Sequence, residues 1–261
     1  MNNLINKVRE LLSNGEINLF IGYEKGTRTP RPLFVSTPEE AGKLIFDDNC
    51  TGNLAVYLTR KDLVGGKKVG ISASYYALKS IRQLFDENQL KEDNLKVIGL
   101  VDNDIKLFET IDDIRQYLEH AAPPAKQADD ELLAKIDAMT VSERWEFWTS
   151  ELSKCFKCYA CRAACPMCYC TKCIVEVNRP QWIQTWASTG SNMEWQINRV
   201  MHMAGRCSDC GSCGAACPLG LPVHILTHKM AGLVKENFGE QAEKGNVLSI
   251  FKPEDKETFI L

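Results

Sequence analysis

Seven cysteines fall within the twenty residues KCFKCYACRAACPMCYCTKC, 154–173, a density that only metal chemistry or covalent cross-linking uses. Cys155, Cys158, Cys161 and Cys165, the last followed by Pro166, are spaced C-x2-C-x2-C-x3-C-P. Cys207, Cys210, Cys213 and Cys217, followed by Pro218, repeat that spacing. This is the ferredoxin-type run that holds 4Fe-4S clusters. Three thiolates at i, i+3 and i+6 wrap a tight loop around one corner of a cubane, while the fourth, on the following helix, points away to the other cluster. The spacing therefore predicts one cluster on Cys155, Cys158, Cys161 and Cys217, and a second on Cys207, Cys210, Cys213 and Cys165. The proline after each fourth cysteine turns the chain away and offers no N–H donor there. Clusters close enough to exchange ligands are close enough to exchange electrons, so the expected chemistry is a single-electron relay.

Other uses of the thiols fit less well. Structural zinc favours two C-x2-C pairs over triplets with an offset fourth cysteine. Disulfides belong to oxidising compartments and small scaffolds, whereas this chain has 261 residues, 44% of them apolar, enough for a core without covalent staples. Cys168, Cys170 and Cys173 are surplus to the two clusters. With Cys50, which alone lies outside the cysteine-rich region, or with a partner chain, they could hold a third cluster or zinc. They could equally be small buried residues beside the clusters. His224 and His228 lie four apart on an expected helix without a third ligand, and read as packing or surface residues. Trp182, Trp186 and Trp195, with Met193, Met201 and Met203, read as a core that shields the clusters from water. Lys154, Lys157, Arg162, Lys172 and Arg206 flank ligands, where positive charge favours a reduced cluster or an acidic partner.

The elements that must carry these thiols divide the chain in two. The front half reads as an α/β domain, residues 1–120, with strands over 17–24, 53–58, 67–73 and 95–101 and a helix over 74–89; the order of the last three implies a parallel βαβ unit. TPEEAGKLIF suggests a helix start with Thr37 as N-cap, Pro38 at the first position and Glu40 closing a capping box. AAPPAKQADD, 121–130, has the composition of a linker. A helical, ferredoxin-like dicluster domain follows over 131–240, entered by helices in DELLAKIDAM and VSERWEFWTSELS, with a tail over 241–261. A net charge of -3 gives no general basic footprint for nucleic acid. No signal-peptide core or run of roughly 20 apolar residues is present, so the expectation is a soluble cytoplasmic protein without a membrane span. No G-x-G-x-x-G or P-loop occurs either.

With these motifs in view, INLFIGYEKGTRTPRPLF, NLAVYL, QLFDENQLKEDNLKVIGL, CFKCYACRAACPMCYCTKC and HMAGRCSDCGSCGAACP together resemble the beta-subunit family of deazaflavin-reducing hydrogenases and formate dehydrogenases. The likeness is greatest to bacterial iron-sulfur relatives that accompany heterodisulfide-reductase-like complexes, and it covers most of 15–220. It implies an electron-transfer subunit of an anaerobic, hetero-oligomeric oxidoreductase, partnered by a flavoprotein or heterodisulfide-reductase-like subunits. Many such proteins bind FAD in the α/β domain, which leaves a second reading: a flavin-containing subunit that itself takes hydride from a deazaflavin or NAD(P)H. Flavin-containing members carry Lys-Gly-Cys-Asp where the first strand of the βαβ unit meets its helix. This chain has Ser74, Tyr75, Tyr76 and Ala77 there, which favours the relay.

Overall fold

The computed structural model describes residues 2–27, 29–101 and 104–238, so the expected tail over 241–261 lies outside the described residues. Contacts divide the described residues into two units, one within 2–124 together with 162–169, the other of 125–161 together with 170–238.

In the first unit, helix α1 (Asn2–Ser13) leads into strand β1 (Leu19–Glu24) and strand β2 (Arg31–Val35). The short helix α2 (Lys61–Val64) precedes β3 (Val69–Ala73), α3 (Tyr75–Asp86), β4 (Leu95–Val101), β5 (Asp104–Phe108) and α4 (Ile111–His120). The strands form one mixed sheet in the order β2-β1-β3-β4-β5. Its centre, β1-β3-β4, is parallel, and both edges are antiparallel. Every residue of β3 is buried, as expected of a central parallel strand covered on both faces, which is why VGISA reads as a nearly continuous apolar run. The strands read from sequence at 17–24, 67–73 and 95–101 and the intervening helix are present.

Two local readings are corrected. NLAVYL is not a strand but a 3-10 turn over Leu54–Tyr57. The Asn53 side chain accepts the Ala55 N–H at 3.1 Å and donates to Ser80 Oγ at 2.7 Å, a local bond that competes with strand pairing. TPEEAGKLIF gives only a 3-10 turn, Glu40–Lys43, with Glu39 rather than Thr37 at its cap. Glu40 does accept the N–H groups of Ser36 at 3.0 Å and Thr37 at 3.3 Å. Ile45 then donates its N–H to Tyr23 O at 2.8 Å, and this bridge to β1 pulls the chain out of helical geometry after one turn.

The second unit is helical: α5 (Gln127–Asp137), α6 (Val141–Ser153), α8 (Thr189–His202), α9 (Ser212–Ala215) and α10 (Val223–Phe238), while the one-turn α7 (Ala160–Ala163) straddles the division at Arg162. Helix α5 begins inside the stretch expected to link the domains. A capping box starts α6: the Thr140 hydroxyl accepts the Glu143 N–H while the Glu143 carboxylate accepts the Thr140 N–H. The core of this unit is built from Leu152, Ile183, Trp195, Leu221 and Val223 together with Cys161 and Cys213, so its packing and its thiols are one structure.

Candidate iron-sulfur centre

The two cysteine runs adopt the same backbone. Lys157 and Tyr159, two and four residues after Cys155, have left-handed φ of 56° and 59°; Asp209 and Gly211, at the same offsets from Cys207, have 60° and 71°. Each third residue turns its N–H onto the first sulfur, Lys157 to Cys155 Sγ and Asp209 to Cys207 Sγ, both at 3.4 Å. A one-turn helix follows in each, α7 and α9, and then Cys165 N–H bonds Arg162 O at 3.1 Å just as Cys217 N–H bonds Gly214 O at 3.0 Å. Holding a non-glycine residue left-handed costs on the order of 1–3 kcal/mol, and such strain persists where the surroundings demand it, characteristically at functional sites. Inward-turned N–H groups of this kind make a nest for anionic sulfur.

Four thiols share one neighbourhood. Burial pushes the Cys155 thiol up, the Lys157 N–H opposes this, and the nearby thiols of Cys161, Cys158 and Cys217 raise it further. Cys155 and Cys217 pack on the core that contains Cys161, whereas Cys158 is exposed. A cysteine of the second run thus lies among three of the first. Among the described residues no three His, Cys, Asp or Glu side chains converge as a single metal ion requires. In a cubane each thiolate takes its own iron, and four thiols in one neighbourhood are the donor set such a group requires. A cluster held there would be bound by these cysteines as thiolates, so its binding would release their protons.

Charged side chains surround the two runs differently. Lys157, 7% exposed, donates its ammonium to Gln184 O. Buried Gln196 donates to Cys161 Sγ at 4.0 Å, and buried Arg199 donates to Gln196 Oε1 at 3.0 Å and to Val223 O at 3.0 Å. On the second run, Asp209 pairs with Lys126 at 2.8 Å and with His228 Nδ1 at 2.8 Å. His224 bonds Asp129 at 2.9 Å and lays its ring against Gly214. Both histidines thus serve packing and hydrogen bonding. Gln196 and Arg199 escaped the sequence reading; their only signal was polar residues on the buried face of α8, beside Trp195 and Val200.

Cys165 and Cys168 lie in the segment 162–169 of the first unit, where Met167 is buried and Tyr169 Oη donates to Glu87 Oε2 at 2.6 Å. Cys207 and Cys210 are half-buried in the second unit beside buried Cys213. Cys170 is exposed, and Cys173 is half-buried against the thiol-containing core. Cys50 is buried in the first unit, its thiol directed to Asp47 Oδ1 at 3.8 Å; burial pushes it up to about 11. Of the aromatic and methionine shield, Trp195 and Met203 are buried and Trp182 and Met193 pack on the thiol core, but Trp186 and Met201 are exposed, each at 60%. At the strand-to-helix junction Ser74 caps α3 by accepting the Ala77 N–H, and Tyr76 Oη donates to Pro124 O at 3.0 Å.

Residues 154–222, which contain both of these loops, match the family described as 4Fe-4S dicluster domain. The chain is an iron-sulfur protein. It is also similar to the F420-dependent formate dehydrogenase subunit beta of Methanocaldococcus jannaschii, at 32% identity over 76 residues, 29% of this chain and 19% of that protein. The match thus spans about a fifth of that relative's length. No helix among the described residues is long and apolar enough to cross a membrane.

Proposed function

We propose that this chain is an electron-transfer subunit of a soluble, cytoplasmic, anaerobic multi-subunit oxidoreductase, relaying single electrons through two 4Fe-4S clusters between a flavin subunit and a heterodisulfide-reductase-like or similar acceptor. Cys155, Cys158, Cys161 and Cys217 hold one cluster; Cys207, Cys210, Cys213 and Cys165 hold the other. The observation that most supports the reading is the shared backbone of the two runs, because a relay needs two sites of one kind and each run supplies the same nest from a different sequence. The similarity to a subunit named as part of a formate dehydrogenase supports the placement in a larger oxidoreductase. The clusters, when bound, supply one-electron chemistry. The protein positions the sulfurs, donates N–H groups to them and keeps water from the buried ones.

Iron, acid-labile sulfide, zinc and flavin per chain, measured on anaerobically purified protein, test this. About eight irons with matching sulfide and no flavin is the expected result. About twelve irons would assign Cys168, Cys170 and Cys173 to a third cluster, alone or with Cys50, while zinc beside eight irons would make that site a zinc site. Stoichiometric zinc without iron would overturn the relay, and one flavin per chain would replace it with a flavin enzyme that takes hydride itself.

A further inference from the structure

We propose that the cluster on the first run is the higher-potential member of the pair, poised by the buried cations Lys157 and Arg199, and that electrons therefore settle there. The inference rests on the two-cluster reading and deepens it by giving the relay a direction.

The two runs are built alike, so the residues that differ at equivalent positions decide how the sites differ. Lys157 and Asp209 occupy the same place in the two loops, each with its N–H on the first sulfur. One contributes a cation and the other an anion. Lys157 is 7% exposed and its ammonium donates to Gln184 O. Among the described residues no carboxylate forms a salt bridge with it, and it is held where water is scarce. The Asp209 carboxylate, in contrast, is matched by Lys126 at 2.8 Å, so the second loop carries a near-neutral pair with His228 beside it.

A second feature acts in the same direction. Arg199, 2% exposed, polarises the Gln196 amide, which donates to Cys161 Sγ of the first run. Reducing a cluster adds one electron and hence one negative charge. Cations and charge-assisted donors held in low dielectric favour that state, and hydrogen bonds to the sulfurs are established levers on potential.

The test is a potentiometric titration of the full chain, prepared anaerobically and followed by electron paramagnetic resonance, after its iron has been counted. Wild type is expected to show two one-electron midpoints. Lys157→Gln should lower the upper midpoint by at least a tenfold change in the reduced-to-oxidised ratio, about 59 mV for one electron, and leave the lower one in place. Lys157→Arg should retain the wild-type value. Asp209→Asn, which tolerates a left-handed φ, should raise the lower midpoint and narrow the gap. A single shared midpoint in wild type, or a Lys157→Gln shift confined to the lower midpoint, overturns the ordering. If Lys157→Gln loses iron, Asp209→Asn decides: both midpoints unmoved, or the upper one alone raised, overturns it. Fewer than about eight irons in wild type would remove the two-cluster reading itself, whereas eight irons with unmoved midpoints removes only the ordering.

Discussion

Gly214 follows the buried ligand candidate Cys213, and a methyl group added there would stand 2.0 Å from Nδ1 and 2.6 Å from Cγ of His224. Ordinary contact needs about 3.5 Å, so ring or loop must move by roughly 1.5 Å. His224 cannot yield freely, because its Nε2 is tied to Asp129 at 2.9 Å and a shift of that size breaks the bond. Overpacking of this kind costs about 1–3 kcal/mol, and in a helix of one turn only part of alanine's advantage of about 1 kcal/mol over glycine is recovered. Gly214→Ala should therefore lose about 1–2 kcal/mol, lowering the midpoint of thermal unfolding of the iron-loaded protein by roughly 2–8 °C. Gly232→Ala on α10 is the control: nothing lies within 4 Å of the added methyl, so a small gain is expected. Combining Gly214→Ala with His224→Ala removes the clash, and the two changes should then cost less together than their sum. If Gly214→Ala matched Gly232→Ala, or if the two losses simply added, the packing of His224 against the second loop would be refuted.

Cys217→Ala should cut iron from about eight to about four per chain, since its thiol belongs with the first run; full iron retention would refute the ligand exchange. Cys50 has its thiol raised from 9.0 to about 11 in the folded chain, so its contribution to stability is complete below 9.0 and lost as pH rises toward about 11. Denaturant unfolding across that window should therefore show a decline that Cys50→Ala flattens, and an identical decline in the variant would count against it. Thr140→Ala removes the cap of α6, the helix that delivers Cys155, and should cost about 1 kcal/mol in thermal unfolding. An unchanged midpoint would mean that the cap is dispensable there.

The parallel strands β1, β3 and β4 were legible because buried strands carry dense apolar runs in the sequence. The edge strands β2 and β5 were not. Arg31–Val35 contains Pro32, tolerated at an edge but a warning against a strand, and Asp104–Phe108 is short and half polar. NLAVYL failed because the Asn53 side chain captured its own backbone, and TPEEAGKLIF because β1 claimed Ile45. In both, a specific hydrogen bond outweighed a local propensity.

The likeness of the two cysteine runs was legible in their spacing, and the structure gives both runs one backbone. Spacing also dictated the loop conformation, and residues as unlike as Lys157 and Asp209 accept the same left-handed turn. What only the tertiary structure decided is what surrounds the sulfurs. That Lys157 is buried rather than solvated, that Arg199 acts on Cys161 through Gln196, that Asp209 is neutralised by Lys126, and that His224 packs on Gly214 all join residues distant in the chain. The spacing of the cysteines is a local property of the sequence, whereas burial and charge compensation belong to the packing of several helices at once.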